Sequence, residues 1–326
     1  MSAGGSRPPF GGHAAIEALA YGARARAWDA ARGAARVLRP LIGTEAFDRL
    51  YGWGRVGYLP NVRHPQTLVE KLLWLKRHYR HPDMPRLSDK LAVRDYVRDR
   101  APSLRLPEVF AESASAASFP FDVLPERAVL KPAHASGHVA FWQPGADPDV
   151  LRALLARWLV LRHDAHLDEW FYGAVPPRVF AEEDLRDARG RVPDDYKVFV
   201  LNGRAHLVQV FQGRGERLVR TVFDRNWTLL PTFRSDRPGG PPIRVPAALA
   251  PPRPTCLAEL LAAAERLAEP FPFVRVDLYV VGDAPFFGEM TFMPSGGYVP
   301  FEPRTFDREL GSHLRLPQPL GPRGSP

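Results

Sequence analysis

The chain has 326 residues, of which 45% are hydrophobic and 25% charged, with a formal net charge of +8. That length carries one large or two medium domains with a sizeable core, and the composition is that of a soluble globular protein. No run of 18 apolar residues reads as a membrane span, the start MSAGGSRPPFGGH lacks a secretory core, and the lone Cys256 cannot form an internal disulfide, so the expected compartment is the cytoplasm. Of the 44 basic residues only Lys71, Lys76, Lys90, Lys131 and Lys197 are lysines. Arginine serves wherever a generic positive charge suffices, so each retained lysine is a candidate for a site that needs a compact ammonium, such as a phosphate. The basic excess by itself is compatible with anionic lipid, nucleic acid or phosphate-bearing substrates.

In chain order, residues 1–12 are Gly/Pro/Ser-rich and read as disordered. From His13 to about Leu38, Ala, Leu and Arg recur at helical spacing. Such an arginine-studded helix packs on its own domain or lies on an anionic membrane surface. Pro65 to about Tyr79 reads as a second helix with Leu68, Leu72, Trp74 and Leu75, and Ser88-Asp89-Lys90 as the capped start of a third with Leu91, Val93, Tyr96 and Val97 inward. Lys90 is then in a first turn, where a cation opposes the helix dipole. Such a lysine is incidental or aimed at an anion.

Val109-Phe110, Ala128 to Lys131 and Val139 to Trp142 read as strands; Lys131 ends the second, and the small-residue loop His134 to His138 lets backbone amides approach phosphate. A helix is expected from Asp149 to about His163, where His163 and His166 form an HxxH pair without a third ligand at recognisable spacing. Pro177 to Leu185 reads as a strand ending in the acidic pair Glu182-Glu183. Tyr196 to Leu201 and Arg204 to Phe211 flank Asn202-Gly203, a strong hairpin signal, with paired residue numbers summing to 405. Lys197, between apolar neighbours, either guards a sheet edge or has a charge partner.

Residues 232–254 read as a Pro/Arg/Gly-rich loop, and Leu257 to Leu267 as an Ala/Leu helix with Cys256 at its start. Phe273 to Phe292 alternates apolar and polar residues on both sides of Gly282-Asp283-Ala284, which predicts two antiparallel strands. Centred on Asp283, the pairing sets Arg275 opposite Thr291, Asp277 opposite Glu289 and Tyr279 opposite Phe287. Facing carboxylates with Cβ atoms roughly 5 Å apart destabilise a sheet unless something offsets them. Arg275, a shared proton or a divalent cation can do so, and Mg2+ is commonly held by one or two carboxylates, water and substrate phosphates. The alternative is a solvated strand face. Pro294-Ser-Gly-Gly297 then forms a turn suited to an anion, Thr305 to Leu310 a short helix, and 317–326 a disordered tail.

The segments PQTLVEKLLWLK, SDKLAVRDYV, VLKPAHASG, RVFAEEDL, PDDYKVFVLNG, FDRNW, FPFVRVDLYVV and FFGEMTFMPSGG, in this order, resemble the ATP-grasp superfamily and within it the TupA-like branch of teichuronopeptide and cell-surface polysaccharide biosynthesis. The resemblance spans about Asn61 to Pro317. It implies an α+β ATP-grasp fold in which two lobes clasp a nucleotide: a disordered start and helical extension over 1–60, a helical segment and first lobe over 61–185, a second lobe over 186–317, and a tail over 318–326. By the same resemblance Lys90 and Lys131 grip ATP phosphates, and His134, Ser136 and Gly137 belong to a flexible cover. Glu182, Glu183 and the Leu185 backbone read adenine and ribose, and Lys197 points to the nucleotide from the second lobe. Asp277 and Glu289 hold Mg2+, Arg275 stabilises the transferring phosphoryl and acyl phosphate, and Ser295 and Gly296 meet the acceptor. Thr291 stands where many ATP-grasp ligases have Asn, which predicts a weaker or water-mediated metal ligand, although the TupA-like branch tends to have Thr here.

The implied activity is ATP- and Mg2+-dependent carboxylate–amine ligation, with ATP and a small, sugar-linked carboxylate or amine as partners and a membrane surface or polysaccharide-assembly enzymes as possible neighbours. A kinase-type or glycosyltransferase-like transferase of polysaccharide assembly and a nucleotide-binding protein without turnover are the alternatives. Nucleic-acid binding lacks aromatic interleaving on a basic element.

Overall fold

The computed structural model describes residues 37–162, 167–213, 218–230, 247–299 and 301–318. The helix expected over 13–38 lies outside them except for its last two residues, as do residues 1–12, the HxxH pair His163 and His166, most of the 232–254 loop and the end of the tail. The chain forms two compact units, residues 1–47 and 48–326. The described part of the first is helical at 37–42, and helix α1 (Thr44–Val56) begins in it.

The second unit is built on two antiparallel sheets. One contains β1 (Val109–Ser113), β2 (Ala128–Pro132), β3 (Ala140–Trp142) and β4 (Val179–Glu183) in the order β1-β4-β2-β3; the other contains β5 (Asp195–Leu201), β6 (Arg204–Gln212), β7 (Val219–Asp224), β8 (Phe273–Val281) and β9 (Ala284–Thr291) in the order β7-β6-β5-β8-β9. With the helices this is the expected α+β class. Each sheet buries one face under a helix whose apolar residues recur at helical spacing. Helix α5 (Pro148–Leu159), capped by the Asp147 carboxylate on the amides of Asp149 and Val150, packs Leu151, Leu155 and Trp158 onto Leu130 and Ala181 of the four-stranded sheet. Helix α6 (Leu257–Ala268) packs Leu257, Leu260, Ala264 and Leu267 onto Val198, Val200 and Val276 of the five-stranded sheet, with the free thiol of Cys256 buried at its start.

Helix α2 (Leu68–His78) opens with a reciprocal cap: the Glu70 amide donates to Thr67 Oγ1 at 3.1 Å and the Thr67 amide to Glu70 Oε2 at 3.1 Å. Across it lies α7 (Arg304–His313). Buried Asp307 accepts from the Val69 amide (3.3 Å) and from the Tyr58 hydroxyl (3.0 Å), and Lys71 Nζ donates to the Leu314 carbonyl at 2.7 Å. A Cβ at Gly311 would lie 2.2 Å from the Gln66 carbonyl oxygen, so only glycine permits this approach.

Three local expectations are corrected. The third helix does not open at Ser88: a short α3 (Met84–Ser88) stops there and α4 (Val93–Arg100) starts five residues later. Asp89 Oδ1 accepts from the amides of Leu91 (2.9 Å) and Ala92 (3.3 Å), so the aspartate closes a turn and Lys90 lies between two helices. In the β5–β6 hairpin, Asn202 and Gly203 have φ of 47° and 77°, as a two-residue turn requires, but the 405 register holds only to Val200↔Ala205 and a bulge at His206 shifts the rest. In β8–β9 the loop is Gly282-Asp283, with Ala284 paired to Val281; Arg275↔Thr291 and Asp277↔Glu289 hold, while a bulge at Gly288 brings Phe286 and not Phe287 opposite Tyr279. A Cβ at Gly288 would lie 2.8 Å from the Asp277 carbonyl oxygen, so glycine is what admits the bulge.

Candidate nucleotide and metal site

Alternation places Arg275 and Asp277 of β8 and Glu289 and Thr291 of β9 on one face of their hairpin. The Arg275 guanidinium donates to both oxygens of Asp277, Nε to Oδ1 at 2.6 Å and Nη2 to Oδ2 at 2.7 Å. Nη2 also donates to Thr291 Oγ1 (3.2 Å), and the Thr291 hydroxyl donates to Glu289 Oε1 at 3.2 Å. On the other side of β8, Lys197 of β5 stands opposite Asp277 in register. Its ammonium bonds Asp277 Oδ2 and is 2.9 Å from Asp195 Oδ2. Strand β5 is the middle of five, so Lys197 is no edge guard: it is a buried cation between two buried carboxylates.

Three more cations come from the four-stranded sheet and from the α3–α4 segment before it: Lys131, Arg94 and Lys90. Lys131 of β2 bonds Glu182 of β4, two residues along the shared face, and Arg94 of α4 comes within 4.0 Å of the same carboxylate. Lys90 donates to the Ala135 carbonyl at 2.7 Å and lies 3.7 Å from Glu289 Oε2, so it links the first sheet's loop to the second sheet's acid.

Burial raises the Glu289 carboxyl, but Lys90, Lys197 and Arg275 together outweigh it and hold the group at about 2. Burial pushes Asp277 up, with Arg275 and Lys197 opposing. Lys90 is pushed down by burial against the pull of Glu289, whereas for Lys131 the burial effect is overcome by Glu182 and the ammonium is held above its usual range. The site thus holds an ionised glutamate, a quarter exposed, inside a wall of cations.

That donor set fits a hard divalent cation in the manner of Mg2+, which takes one or two carboxylates and completes its shell elsewhere. Among the described residues no cluster of three or more His, Cys, Asp or Glu could hold a metal, so the facing Asp277–Glu289 pair is what remains. Both Asp277 oxygens are engaged by Arg275 and Lys197, which leaves Glu289 the more available ligand. The Thr291 hydroxyl is engaged on both sides and orients Glu289.

The remaining expected residues have other surroundings. His134 is buried, with Nε2 3.1 Å from the Trp158 carbonyl, and belongs to the packing of α5. Beyond it the loop opens: the Ser136 carbonyl meets His138 Nδ1 at 2.9 Å, and Gly137 has φ 79° with nothing near its Cβ direction. Glu183 Oε2 accepts from the Glu108 amide at 3.2 Å, and half-buried Leu185 lies between Asp184 and Arg186, which bond each other. Ser295 and Gly296 form a left-handed turn (φ 53° and 65°); Ser295 is exposed, while Gly296 is buried with its carbonyl 3.3 Å from Lys76 Nζ.

Sequence reasoning missed Asp195, Arg94 and Glu169. Asp195 was legible, since it precedes Lys197 by two residues and so shares its strand face. Arg94 had no local signal. Glu169 is buried and pushed up to about 8 by that burial, with Lys76 opposing and Glu289 adding to it. Nothing in the sequence marks it as a neighbour of Glu289.

A family model described as TupA-like ATPgrasp matches residues 70–315. Among curated proteins nothing matches. Solved structures similar to the chain include D-alanine–D-alanine ligase from Bacillus anthracis complexed with ATP (16% identity, 64% of this chain and 54% of that one, TM-score 0.36). They also include the ATP-grasp ligase PsnB complexed with a phosphomimetic variant of its minimal precursor, Mg and ADP (12%, 75% and 64%, 0.36) and L-amino acid ligase from Bacillus licheniformis (14%, 78% and 47%, 0.33). The chain thus spans roughly half to just under two thirds of the length of these structures. Their similarity is distant; the family model, matched over most of the sequence, establishes that the chain belongs to the TupA-like ATP-grasp family.

Proposed function

We propose that the chain is an ATP- and Mg2+-dependent carboxylate–amine ligase that works through an acyl phosphate, in the cytoplasm, in the assembly of a cell-surface polysaccharide or teichuronopeptide-like polymer. The observation that carries the reading is the ionised Glu289 facing Asp277, ringed by Lys197 and Arg275 of the five-stranded sheet and by Lys90 from the turn between α3 and α4. An array of fixed cations beside two carboxylates suits a triphosphate and its metal, for which catalysis is largely positioning and charge stabilisation. Lys90 and Lys131 are each satisfied by a carboxylate, Glu289 and Glu182, which phosphate oxygens replace on binding. Arg275 is held flat by its two bonds to Asp277, and its role in this reading is to stabilise the charge that develops on the transferred phosphoryl group. Mg2+ on Glu289 and Asp277 would neutralise phosphate charge. A substrate carboxylate oxygen attacks the γ-phosphorus as its bond to the β-phosphate oxygen breaks and ADP leaves. An amine nitrogen then attacks the acyl carbon, the carbon–oxygen bond to phosphate breaks, and the nitrogen's proton passes to a base. Glu182, Glu183 and Leu185 serve the adenine and ribose, the 136–138 loop covers the phosphates, and Ser295 and Gly296 receive the acceptor. The described helices include none long and apolar enough to cross a membrane.

The test is calorimetry of ATP binding with and without Mg2+, in the native chain and in Glu289→Gln. The expected result is metal-dependent binding that the variant weakens about 100-fold or more, beyond what loss of an outer-sphere partner causes. A native chain that binds no nucleotide under any metal condition overturns the proposal. Incubation with pooled amino acids and sugar acids then distinguishes the ligase, which releases ADP and phosphate with a new amide, from a kinase-type transferase, which releases ADP and a phosphorylated product.

A further inference from the structure

The large apolar side chains that the fold leaves exposed are not spread evenly. Thirteen occur among the described residues, and seven of them, Val37, Leu38, Leu41, Ile42, Leu50, Trp53 and Leu59, fall between positions 37 and 59. In the first unit Val37, Leu38, Leu41 and Ile42 have the i, i+1, i+4, i+5 spacing of one helix face, and Leu41 is 76% exposed.

In the second unit, α1 is fixed to its surroundings by the opposite side. Asp48 is buried against Lys76 Nζ (3.1 Å) and accepts from the Tyr298 hydroxyl at 2.5 Å. Tyr51 meets the Tyr298 ring edge-on, with centroids 4.9 Å apart. Gly52 lies so close to Pro60 that a Cβ would be 2.6 Å from its Cγ. With 48, 51 and 52 facing inward, Leu50 and Trp53 are held outward at 56% and 61% exposure, and Leu59 at 50%. Leu50 and Trp53 are displayed by a firmly anchored helix, with Leu59 three residues beyond its end, and a concentration of exposed apolar side chains marks an interaction surface.

Charge identifies the occupant. The first 63 residues contain nine arginines and no lysine against four acidic residues, a surplus of five in a chain whose total is +8. One of those four acids, Asp48, is neutralised internally by Lys76 and Arg77. A second copy of the chain would bring the same positive surplus to the contact. Outward Leu and Trp flanked by arginine, whose aliphatic stem can lie along apolar surface while its head stays in water, match an interface of anionic headgroups over acyl chains.

We propose that the outward Leu50, Trp53 and Leu59 of the second unit seat this protein on an anionic lipid surface. The full-length chain is sedimented with vesicles of phosphatidylcholine alone or with 30% phosphatidylglycerol, at low and high salt. The expected result is binding at least about tenfold stronger to the anionic vesicles, weakened by salt, and lost about tenfold in Leu50→Ser/Trp53→Ser. Arg49→Glu, which leaves the apolar pair intact, lowers binding to anionic vesicles only. Should the double variant fail to fold, hydrogen exchange of the native chain decides: vesicles are expected to protect amides within 48–59. Equal binding to both vesicle types, no binding, protection elsewhere, or a native oligomer that the double variant dissociates without any effect of vesicles each overturn the proposal.

Discussion

The two sheets meet the same problem, fixed charge on a strand face, in opposite ways. In the four-stranded sheet a partly exposed lysine pairs with one buried glutamate: Lys131 keeps 23% of its side chain exposed and Glu182 10%. In the five-stranded sheet Lys197, Asp195, Asp277 and Arg275 form a network on central strands where little water reaches, and only Glu289 opens outward. The Lys131–Glu182 pair can give up its lysine to a ligand because Arg94 stays beside the carboxylate. A buried network is costly to alter, because any member removed leaves a partner charge without compensation. The first sheet is arranged to exchange partners and the second to keep them.

Three experiments would sharpen or break that contrast, in order of expected effect. Lys197→Met removes the buried cation shared by Asp195 and Asp277, and should destabilise the fold by about 3–5 kcal/mol, read from denaturant unfolding. A loss under 1 kcal/mol would mean that the buried network is not what holds the second sheet's charges. Second, Glu289 sits at about 2 in the fold against an ordinary 4.5, so its contribution is full above pH 4.5 and fades as pH falls towards 2. Linkage makes that contribution on the order of 3 kcal/mol. The stability difference between the native chain and Glu289→Gln, followed by thermal unfolding, should therefore shrink across that window; a constant difference removes the cation wall from the account. Third, Lys131→Met should lower ATP affinity about tenfold, about 1.4 kcal/mol, while the midpoint of unfolding barely moves, since Glu182 retains Arg94 at 4.0 Å. A large drop in stability would put Lys131 with the buried network after all.

Legibility followed the range of the interaction. The Asp277–Glu289 opposition was readable because strand period and a short loop fix it within 13 residues, and the resemblance then gave the pair a cation. The bulge at Gly288 was not, since alternation reads straight through a glycine; its cause is the closeness of the Asp277 carbonyl, a contact across strands. The central place of Lys197 depends on β8 joining from nearly eighty residues away, and without that pairing an edge position read equally well. At Lys90 the sequence read as a capped helix start, whereas Asp89 closes a turn by spending its carboxylate on the Leu91 and Ala92 amides. Glu169 reaches Glu289's surroundings only through the tertiary fold, and no spacing announces it.

The clasp of α7 on α2 has a consequence for how the protein comes off the ribosome. The partner of the Val69 amide is 238 residues further along, and Gly311 must reach the Gln66 carbonyl before the contact closes. At translation rates of 5–20 residues per second, that interval is roughly 12–48 s. Until it ends, the nascent α2, whose Leu68, Leu72 and Leu75 are all buried in the finished fold, lacks the α7 helix that lies across it. Until that interval ends, α2 depends on partners other than α7 to cover its apolar face.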